Sequence, residues 1–338
     1  MSTSNLRVGI LGCGRIGRMH AGLVASHVEG LALAACYDAD GSAAAEVADR
    51  FGGRACYDAD ELIAAPDVDV IAICSPTGFH IDQLIAAAEA GKPVLVEKPL
   101  SLDLAEVDRG VAAATAAGIP VQVGFNRRFD PSHRSVREHV ANGAVGDVHL
   151  VRITSRDPAP PPISYIETSG GIFLDMTIHD FDMARYVTGS EVVEVYARGA
   201  VRVDAAIGDA GDLDTVVVVM QHENGAVTTI DNSRQAVYGY DQRVEVFGSA
   251  GVVSSDNPGV TTTLVRTAEG SRGPTVPYFF IERYLPSYIA EWSDFVAVVR
   301  DGAPSPVTLD DGRAPLILGL AAWRSVREQR VVPVAEIT

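Results

Sequence analysis

The chain has 338 residues, of which 47% are hydrophobic and 21% charged, and its formal net charge is −17. This length allows two domains with separate cores, and no stretch approaches the ~18 consecutive apolar residues of a membrane span. The negative charge opposes binding to nucleic acid or anionic membranes, because such binding needs Lys and Arg to neutralise phosphates. A small neutral ligand is compatible with this charge, since a few local cations can dominate a cleft.

The first residues, MSTSNLRVGILGCG, lead into a strand-like segment without the basic and apolar regions of a secretory signal. We therefore expect a cytoplasmic protein. The four cysteines show no C-x-x-C spacing, so buried, reduced thiols are expected rather than disulfides or a metal site. They are Cys13, Cys36, Cys56 and Cys74.

Residues 1–124 alternate β-branched segments with Ala-rich helical segments. Such alternation predicts an α/β Rossmann domain, in which a doubly wound parallel sheet is covered by helices. The clearest strands are LRVGIL, LALAACYD, VDVIAIC, KPVLVEK and IPVQVGF, and the helices lie near 15–28, 42–51, 80–90 and 103–117.

Residues 125–338 follow a different pattern, in which strands succeed one another without intervening helices. This order, with a hairpin signal HENGA at 222–226, predicts a C-terminal α+β domain with a large, mostly antiparallel open sheet. Strands are predicted near 147–156, 192–203, 213–222, 225–235, 242–248 and 260–266, and helices near 131–141, 170–186, 284–301 and 310–328.

A G-x-G-x-x-G motif follows the first strand and opens the first helix. Gly12 is expected to form the tight turn, Gly14 to admit a pyrophosphate and Gly17 to let the helix pack on the strand. Arg15 and Ile16 begin the helix whose N-terminus would face the anion. The alternative is an ordinary tight turn without a ligand.

Asp38 ends the second strand, 21 residues beyond Gly17. A carboxylate at this position can accept hydrogen bonds from the ribose hydroxyls and would repel a 2′-phosphate. The sequence therefore predicts NAD rather than NADP as cofactor.

Two polar segments, SPTGFH at 75–80 and EKP at 97–99, follow later strands of the predicted sheet. Ligands bind at the carboxyl ends of such strands. His80 could approach the nicotinamide end of the cofactor or simply begin a helix with its ring exposed, and Lys98 could instead be an ordinary solvent-facing lysine. The predicted cofactor contacts here are Ser75, Pro76, Thr77, His80, Glu97 and Lys98.

The segment GGIFLDMTIHDFDMARY at 170–186 places three ionisable side chains in an apolar helix. Asp175, His179 and Asp182 have the spacing i, i+4 and i+7, which puts them on one helical face. They could be metal ligands, but no further ligand is evident and we expect no metal. Asp182 could hold the imidazole, bind a substrate hydroxyl or lie on the helix surface.

Oxidation of a secondary alcohol needs a base and a partner for the developing alkoxide. His179 suits the base, because imidazole titrates near neutral pH, and the ammonium of Lys98 suits the alkoxide. Asp175 could bind a neighbouring hydroxyl or orient the imidazole.

These motifs resemble the glucose–fructose oxidoreductase/inositol dehydrogenase/MocA family. Beyond GCGRIG and EKP, five segments resemble its inositol 2-dehydrogenase branch, although some members of that branch have histidine where Ser155 stands here. The five are GFNRRFD at 124–130, SRDPAPPP at 155–162, GGIFLDMTIHDFD at 170–182, YGYD at 238–241 and FFIERY at 279–284.

The resemblance implies an NAD-dependent dehydrogenase that oxidises a ring hydroxyl of a cyclic polyol, with myo-inositol giving 2-keto-myo-inositol (scyllo-inosose). It places Lys98 beside the nicotinamide and assigns catalysis to Lys98, Asp175 and His179. It also implies a homodimer or homotetramer, with residues 125–338 as the domain for substrate binding and oligomerisation. The substrate contacts that it implies are Lys98, Asn126, Arg127, Asp157, Asp175, His179, Asp182, Tyr238 and Tyr240.

Two other functions fit the same motifs. Another inositol isomer, a pyranose or an anhydrosugar offers a similar array of ring hydroxyls. A non-catalytic NAD-binding sensor or scaffold could share the fold, since fold alone does not secure function.

Overall fold

The computed structural model describes residues 5–337, which form two compact units. The first unit comprises the residues up to Asn126 together with Ser287–Ala314, and the second comprises Arg127–Pro286 and the residues from Pro315 onward. The predicted division at 124/125 lies two residues before this boundary and leaves the segment 287–314 in the second domain. That segment packs with the first half of the chain: Val123 N, for example, donates a hydrogen bond to Val307 O (3.0 Å).

The first unit contains a six-stranded parallel sheet with the order β3-β2-β1-β4-β5-β6. The central strands are buried on both faces because helices cover the sheet. The predicted doubly wound sheet is confirmed, with one additional short strand, β3. The strands are β1 (Leu6–Leu11), β2 (Leu31–Tyr37), β3 (Arg54–Cys56), β4 (Val70–Ile73), β5 (Val94–Glu97) and β6 (Val121–Gly124).

The helices of this half begin at defined caps. Asp40, Asp58 and Asp103 each accept a backbone N–H in the first turn of the helix that follows, which satisfies donors that lack an intrahelical partner. The helices are α1 (Arg15–Ser26), α2 (Gly41–Phe51), α3 (Ala59–Ala64), α4 (His80–Glu89) and α5 (Leu104–Ala117).

The second unit contains a seven-stranded sheet with the order β12-β11-β7-β10-β9-β8-β15. Strands β7 and β10 pair in parallel and the other neighbours pair antiparallel, so the predicted mostly antiparallel sheet is confirmed. The strands are β7 (Val148–Arg156), β8 (Val192–Ala200), β9 (Thr215–His222), β10 (Val227–Ser233), β11 (Asp241–Gly248), β12 (Gly251–Ser255), β13 (Val265–Thr267), β14 (Gly270–Arg272) and β15 (Val332–Pro333).

One face of this sheet is buried by apolar side chains of helices in the same unit, among them Phe181, Val187 and Leu318. Two long helices contain prolines, Pro286 and Pro315, at the points where the chain passes from one unit to the other. The helices are α6 (Pro131–Ala141), α7 (Ile163–Ile166), α8 (Ile172–Asp175), α9 (Ile178–Thr188), α10 (Ala205–Asp209), α11 (Phe280–Asp301) and α12 (Leu309–Glu328).

The strand predicted over 260–266 is wrong. β12 at Gly251–Ser255 forms the edge of the large sheet instead, while Val265–Thr267 pairs only with Gly270–Arg272 in a separate hairpin. The apolar residues that suggested a strand, such as Val260 and Leu264, are more than half exposed.

Candidate active site

The glycine-rich turn of the first unit has the geometry expected for each glycine. Gly12 has φ +93°, and a Cβ atom there would lie 2.6 Å from the carbonyl carbon of Cys74. A Cβ at Gly17 would overlap the carbonyl oxygen of Gly12. Gly14 is exposed, and within residues 5–337 a Cβ there would meet no atom inside 4 Å.

Helix α1 begins at Arg15 without a side-chain hydrogen bond at its N-cap from the described residues. Its first amides and the open space over Gly14 therefore fit the pyrophosphate of a dinucleotide.

Asp38 lies beside the glycine turn. Its Oδ2 accepts a hydrogen bond from Cys13 N (2.6 Å), and its Oδ1 accepts one from Asp40 N (2.9 Å). A carboxylate has about four acceptor positions, so both oxygens retain capacity for ribose hydroxyls. Asp38 thus supports the shape of the turn in addition to its predicted contact with the cofactor.

His80 connects the two polar loops that follow β4 and β5. Its Nδ1 lies 2.8 Å from Pro99 O, and its Nε2 lies 2.8 Å from Ser75 O. The ring is 2% exposed, so the alternative of an exposed helix-start histidine is wrong. Burial lowers the pKa of His80, while the two carbonyl oxygens, which only the protonated ring can satisfy together, oppose that shift.

Glu97 of the EKP segment belongs to a buried hydrogen-bond network that was not predicted from the sequence. Lys98 is half-buried, and the neighbouring Glu97 accepts a hydrogen bond from His20 Nε2 (2.9 Å). Trp292 Nε1 donates to His20 Nδ1 (2.9 Å), which requires the proton of a neutral ring to be on Nε2. No local motif could reveal this network, because Trp292 is 272 residues from His20.

In the second unit, the predicted continuous helix over 170–186 is wrong. α8 ends at Asp175, and α9 begins at Ile178. The hydroxyl of Thr177, between the two helices, donates to Asn232 Oδ1 (2.6 Å), which ties the break to β10. Asp175 and His179, both half-buried, therefore stand on different helices, and ideal helical spacing does not describe the pair.

Asp175 has two partners that were not predicted. Tyr165 donates its hydroxyl to Asp175 Oδ1 (2.9 Å), and Arg234 Nη1 lies 3.2 Å from Asp175 Oδ2. Tyr165 is about half exposed, whereas Arg234 is fully buried. Each carboxylate oxygen thus has its own donor.

Arg127 belongs to a buried polar cluster with Asp180, a residue that the sequence analysis passed over. Its Nη1 lies 2.7 Å from Asp180 Oδ1 and 2.9 Å from Ser155 Oγ. Asn232 Nδ2 donates to the second oxygen of Asp180 (2.7 Å). Burial raises the pKa of Asp180, and the positive charge of Arg127 opposes that shift.

Arg128, the neighbouring arginine, pairs with Asp182. Its Nε and Nη2 approach the Asp182 carboxylate at 2.9 and 2.6 Å. Asp182 is 1% exposed, so the alternative of a carboxylate on the helix surface is wrong. Each of the two adjacent arginines is therefore paired with its own aspartate, Arg127 with Asp180 and Arg128 with Asp182.

Three of the other predicted substrate residues lie in the second unit. The hydroxyl of Tyr240 accepts from Arg127 Nη2 (3.5 Å), and burial raises the pKa of Tyr240. Burial disfavours the charged form of Arg127, but the surrounding tyrosines and the carboxylates of Asp180 and Asp157 raise its pKa. Tyr238 is about half exposed and donates to Asp241 (2.6 Å). The structure therefore brings Arg127, Tyr240 and Asp157 together.

Asn126, the last residue of the first unit and a predicted substrate contact, is 3% exposed.

Within residues 5–337, no group of three or more His, Cys, Asp or Glu side chains is arranged to hold a metal ion. Among the helices of the same residues, none combines the length and apolar character needed to cross a bilayer.

Two family models together match most of the chain. Residues 6–125 match the oxidoreductase family with an NAD-binding Rossmann fold, and residues 133–254 match the GFO/IDH/MocA C-terminal domain.

Named relatives match over nearly their full length. The myo-inositol 2-dehydrogenase of Thermotoga maritima is 49% identical, with 98% of this chain and 99% of that protein covered. The inositol 2-dehydrogenase of Rhizobium meliloti is 44% identical over the same shares of the two chains. A crystal structure of scyllo-inositol dehydrogenase from Lactobacillus casei, with bound NAD(H) and scyllo-inositol, superposes with a TM-score of 0.92 at 31% identity, covering 98% of this chain and 100% of that one. The chain belongs to the GFO/IDH/MocA family of NAD-binding oxidoreductases.

Proposed function

We propose that this protein is an NAD-dependent dehydrogenase that oxidises a ring secondary hydroxyl of a cyclic polyol, with myo-inositol converted to 2-keto-myo-inositol. The observation that carries the proposal is the 49% identity, over 98% of the chain, with a myo-inositol 2-dehydrogenase. The open space above Gly14 and the position of Asp38 beside the turn support NAD as the cofactor.

The reaction divides among three side chains in our proposal. When NAD is bound, its nicotinamide ring supplies the hydride acceptor. His179 accepts the hydroxyl proton, and the ammonium of Lys98 stabilises the negative charge that develops on the same oxygen. Asp175, held by two donors, binds a neighbouring hydroxyl or orients the imidazole. The products are the ketone, NADH and one proton.

Substrate recognition in this proposal uses the polar residues near Arg127. Each buried hydroxyl of a polyol must find a hydrogen-bond partner, and Arg127, Asp157 and Tyr240 offer donors and acceptors within one region of the second unit. Asn126, Tyr238 and Asp182 stay predicted contacts.

An absorbance panel tests both substrate and cofactor. NADH formation is measured with myo-, scyllo- and chiro-inositol, glucose and an anhydrosugar, each with NAD and NADP. We expect the highest rate with an inositol and NAD. Robust turnover of glucose or the anhydrosugar without turnover of any inositol would show that the substrate is a sugar and not an inositol. Absence of NADH formation with the whole panel would favour the non-catalytic sensor.

Replacing Asp38 with alanine is expected to reduce the preference for NAD over NADP by about 10²-fold, because contact between like charges costs several kcal/mol. The measurement is the ratio of kcat/KM with the two cofactors. Asp40→Ala is the matched control: Asp40 caps α2 by accepting from Ser42 N (3.0 Å), so its loss should lower the melting temperature without changing the ratio. Higher wild-type activity with NADP would contradict the role of Asp38.

We further propose a cytoplasmic homo-oligomer that associates through the outer face of the large sheet. Four apolar side chains on this face are 38–59% exposed, although they belong to paired strands of a well-formed sheet. The strand register places all four side chains on the same face of the sheet, and exposed apolar groups on one face are typical of a protein interface. The four are Val217, Val219, Phe247 and Val252.

Val217→Glu is expected to convert the dimer or tetramer into smaller species, because a charge in an apolar interface is costly to bury. Light scattering coupled to size-exclusion chromatography measures the change. Val331→Glu is the matched control, since Val331 is similarly exposed (46%) but lies outside the strands. Equal masses for Val217→Glu and wild type would contradict this interface.

A further inference from the structure

Arg234 is a buried cation shared by two carboxylates. It directly follows β10 and is 0% exposed. Its Nη1 lies 3.2 Å from Asp175 Oδ2, and its Nη2 lies 3.2 Å from Asp212 Oδ2. A buried guanidinium is stable only when it is paired, and its planar fork fixes the direction of both partners.

Asp212 is itself fixed by the backbone that leads to Asp175. Its Oδ1 accepts a hydrogen bond from Ile172 N (2.9 Å), the first residue of α8. Gly171 precedes this residue with φ +78°, and a Cβ there would lie 2.7 Å from Asp212 Oδ1 and 2.7 Å from Trp323 Cζ2. The second glycine of the GG pair is therefore required for the approach of Asp212.

α8 is a single helical turn that begins at the amide held by Asp212 and ends at Asp175. Asp212 thus restrains Asp175 in two ways: through the backbone of α8 at one end, and through Arg234 at the carboxylate. We infer that Arg234 and Asp212 are positioning residues that hold the Asp175 carboxylate in one orientation for the reacting substrate. This inference rests on the proposed dehydrogenase function.

Arg234 acts through Asp175 in this arrangement, so its removal should matter only while Asp175 retains its carboxylate. Arg234→Met is expected to lower kcat/KM for the preferred inositol by about 10²-fold, the scale of effect for a small misplacement of a reacting group. In an Asp175→Asn background, the same change should cost less than about threefold. A purely structural contribution of Arg234 would instead cost the same in both backgrounds.

Two milder variants keep the test valid if Arg234→Met folds poorly. Arg234→Lys retains the charge but not the fork, and Asp212→Asn retains the shape but not the charge, so each should lower kcat/KM by about tenfold. Asp214→Asn is the matched control. Asp214 is also fully buried, but it accepts from the backbone amides of residues 202–204, so its change should lower the melting temperature and leave kcat/KM unchanged.

The experiment measures steady-state kinetics, NADH binding by fluorescence and thermal melting for wild type, these variants and the double variants. NADH affinity is expected to be unchanged throughout. If the wild type turns over and kcat/KM is unaltered in Arg234→Lys and Asp212→Asn, the inference is overturned but the proposed function stands. The same holds if Arg234→Met causes an equal loss in both Asp175 backgrounds. Absence of NADH formation by the wild type overturns the proposed function, and this inference with it.

Discussion

Replacing Lys98 with methionine is expected to lower kcat/KM for NADH formation by about 10³-fold while NAD binding persists. Methionine keeps an unbranched side chain of similar length but removes the ammonium. One well-placed donor to a developing oxyanion contributes about 10²–10³-fold to the rate, and this position would lose the charge as well. Steady-state NADH absorbance and cofactor titration measure the two quantities separately.

The chain provides an unusually clear control for this substitution, because it contains only two lysines, Lys92 and Lys98. Lys92 lies in the same unit, and its Nζ donates to Ala65 O (2.6 Å). Lys92→Met should therefore lower thermal stability and leave kcat/KM unchanged. If Lys98→Met retained a tenth or more of the wild-type kcat/KM, Lys98 would not have the proposed role.

Apart from Lys92, every other Lys or Arg position of this chain is arginine, so a lysine at position 98 is unusual for the chain. Guanidinium remains protonated at any ordinary pH, whereas an ammonium can also release a proton. Lys98→Arg therefore separates a role that needs only positive charge from a role that needs an ammonium group. A rate near that of wild type would indicate that positive charge alone is needed, and a rate near that of Lys98→Met would indicate that the compact ammonium is needed.

The first unit could be predicted closely from sequence because its signals are local. The strand LRVGIL corresponds residue for residue to β1, and each of the three glycines has the geometry that the motif predicts. Parallel strands buried on both faces give continuous apolar runs, which are hard to mistake. The inclusion of Ser287–Ala314 in this unit rests on long-range packing and left no comparable signal.

The second unit was harder to predict where tertiary contacts override periodicity. Spacing alone indicated one helix through Asp175 and His179, but the backbone leaves the regular helical pattern between them. Thr177 N donates to Ile172 O (2.9 Å) and His179 N donates to Met176 O (3.3 Å), five and three residues earlier instead of four. The sequence did not single out Asp180, because its pairing with Arg127, 53 residues earlier, is visible only in the folded chain. Arg234 had no motif, and its role became evident only from its buried position between two carboxylates.

His179→Ala is expected to lower kcat/KM by about 10²–10⁴-fold, the contribution of a general base. Imidazole added to the buffer should restore part of the rate, because the truncated side chain leaves space for a free base.

An exposed histidine of the same unit, His139 on α6, gives the control for this substitution. His139→Ala should leave the rate unchanged. A loss of less than tenfold in His179→Ala, without rescue by imidazole, would transfer the role of proton acceptor to Asp175, Lys98 or water. Asp175→Asn in the His179→Ala background then tests the carboxylate, because proton acceptance by Asp175 predicts a larger loss there than the same change causes in the wild-type background.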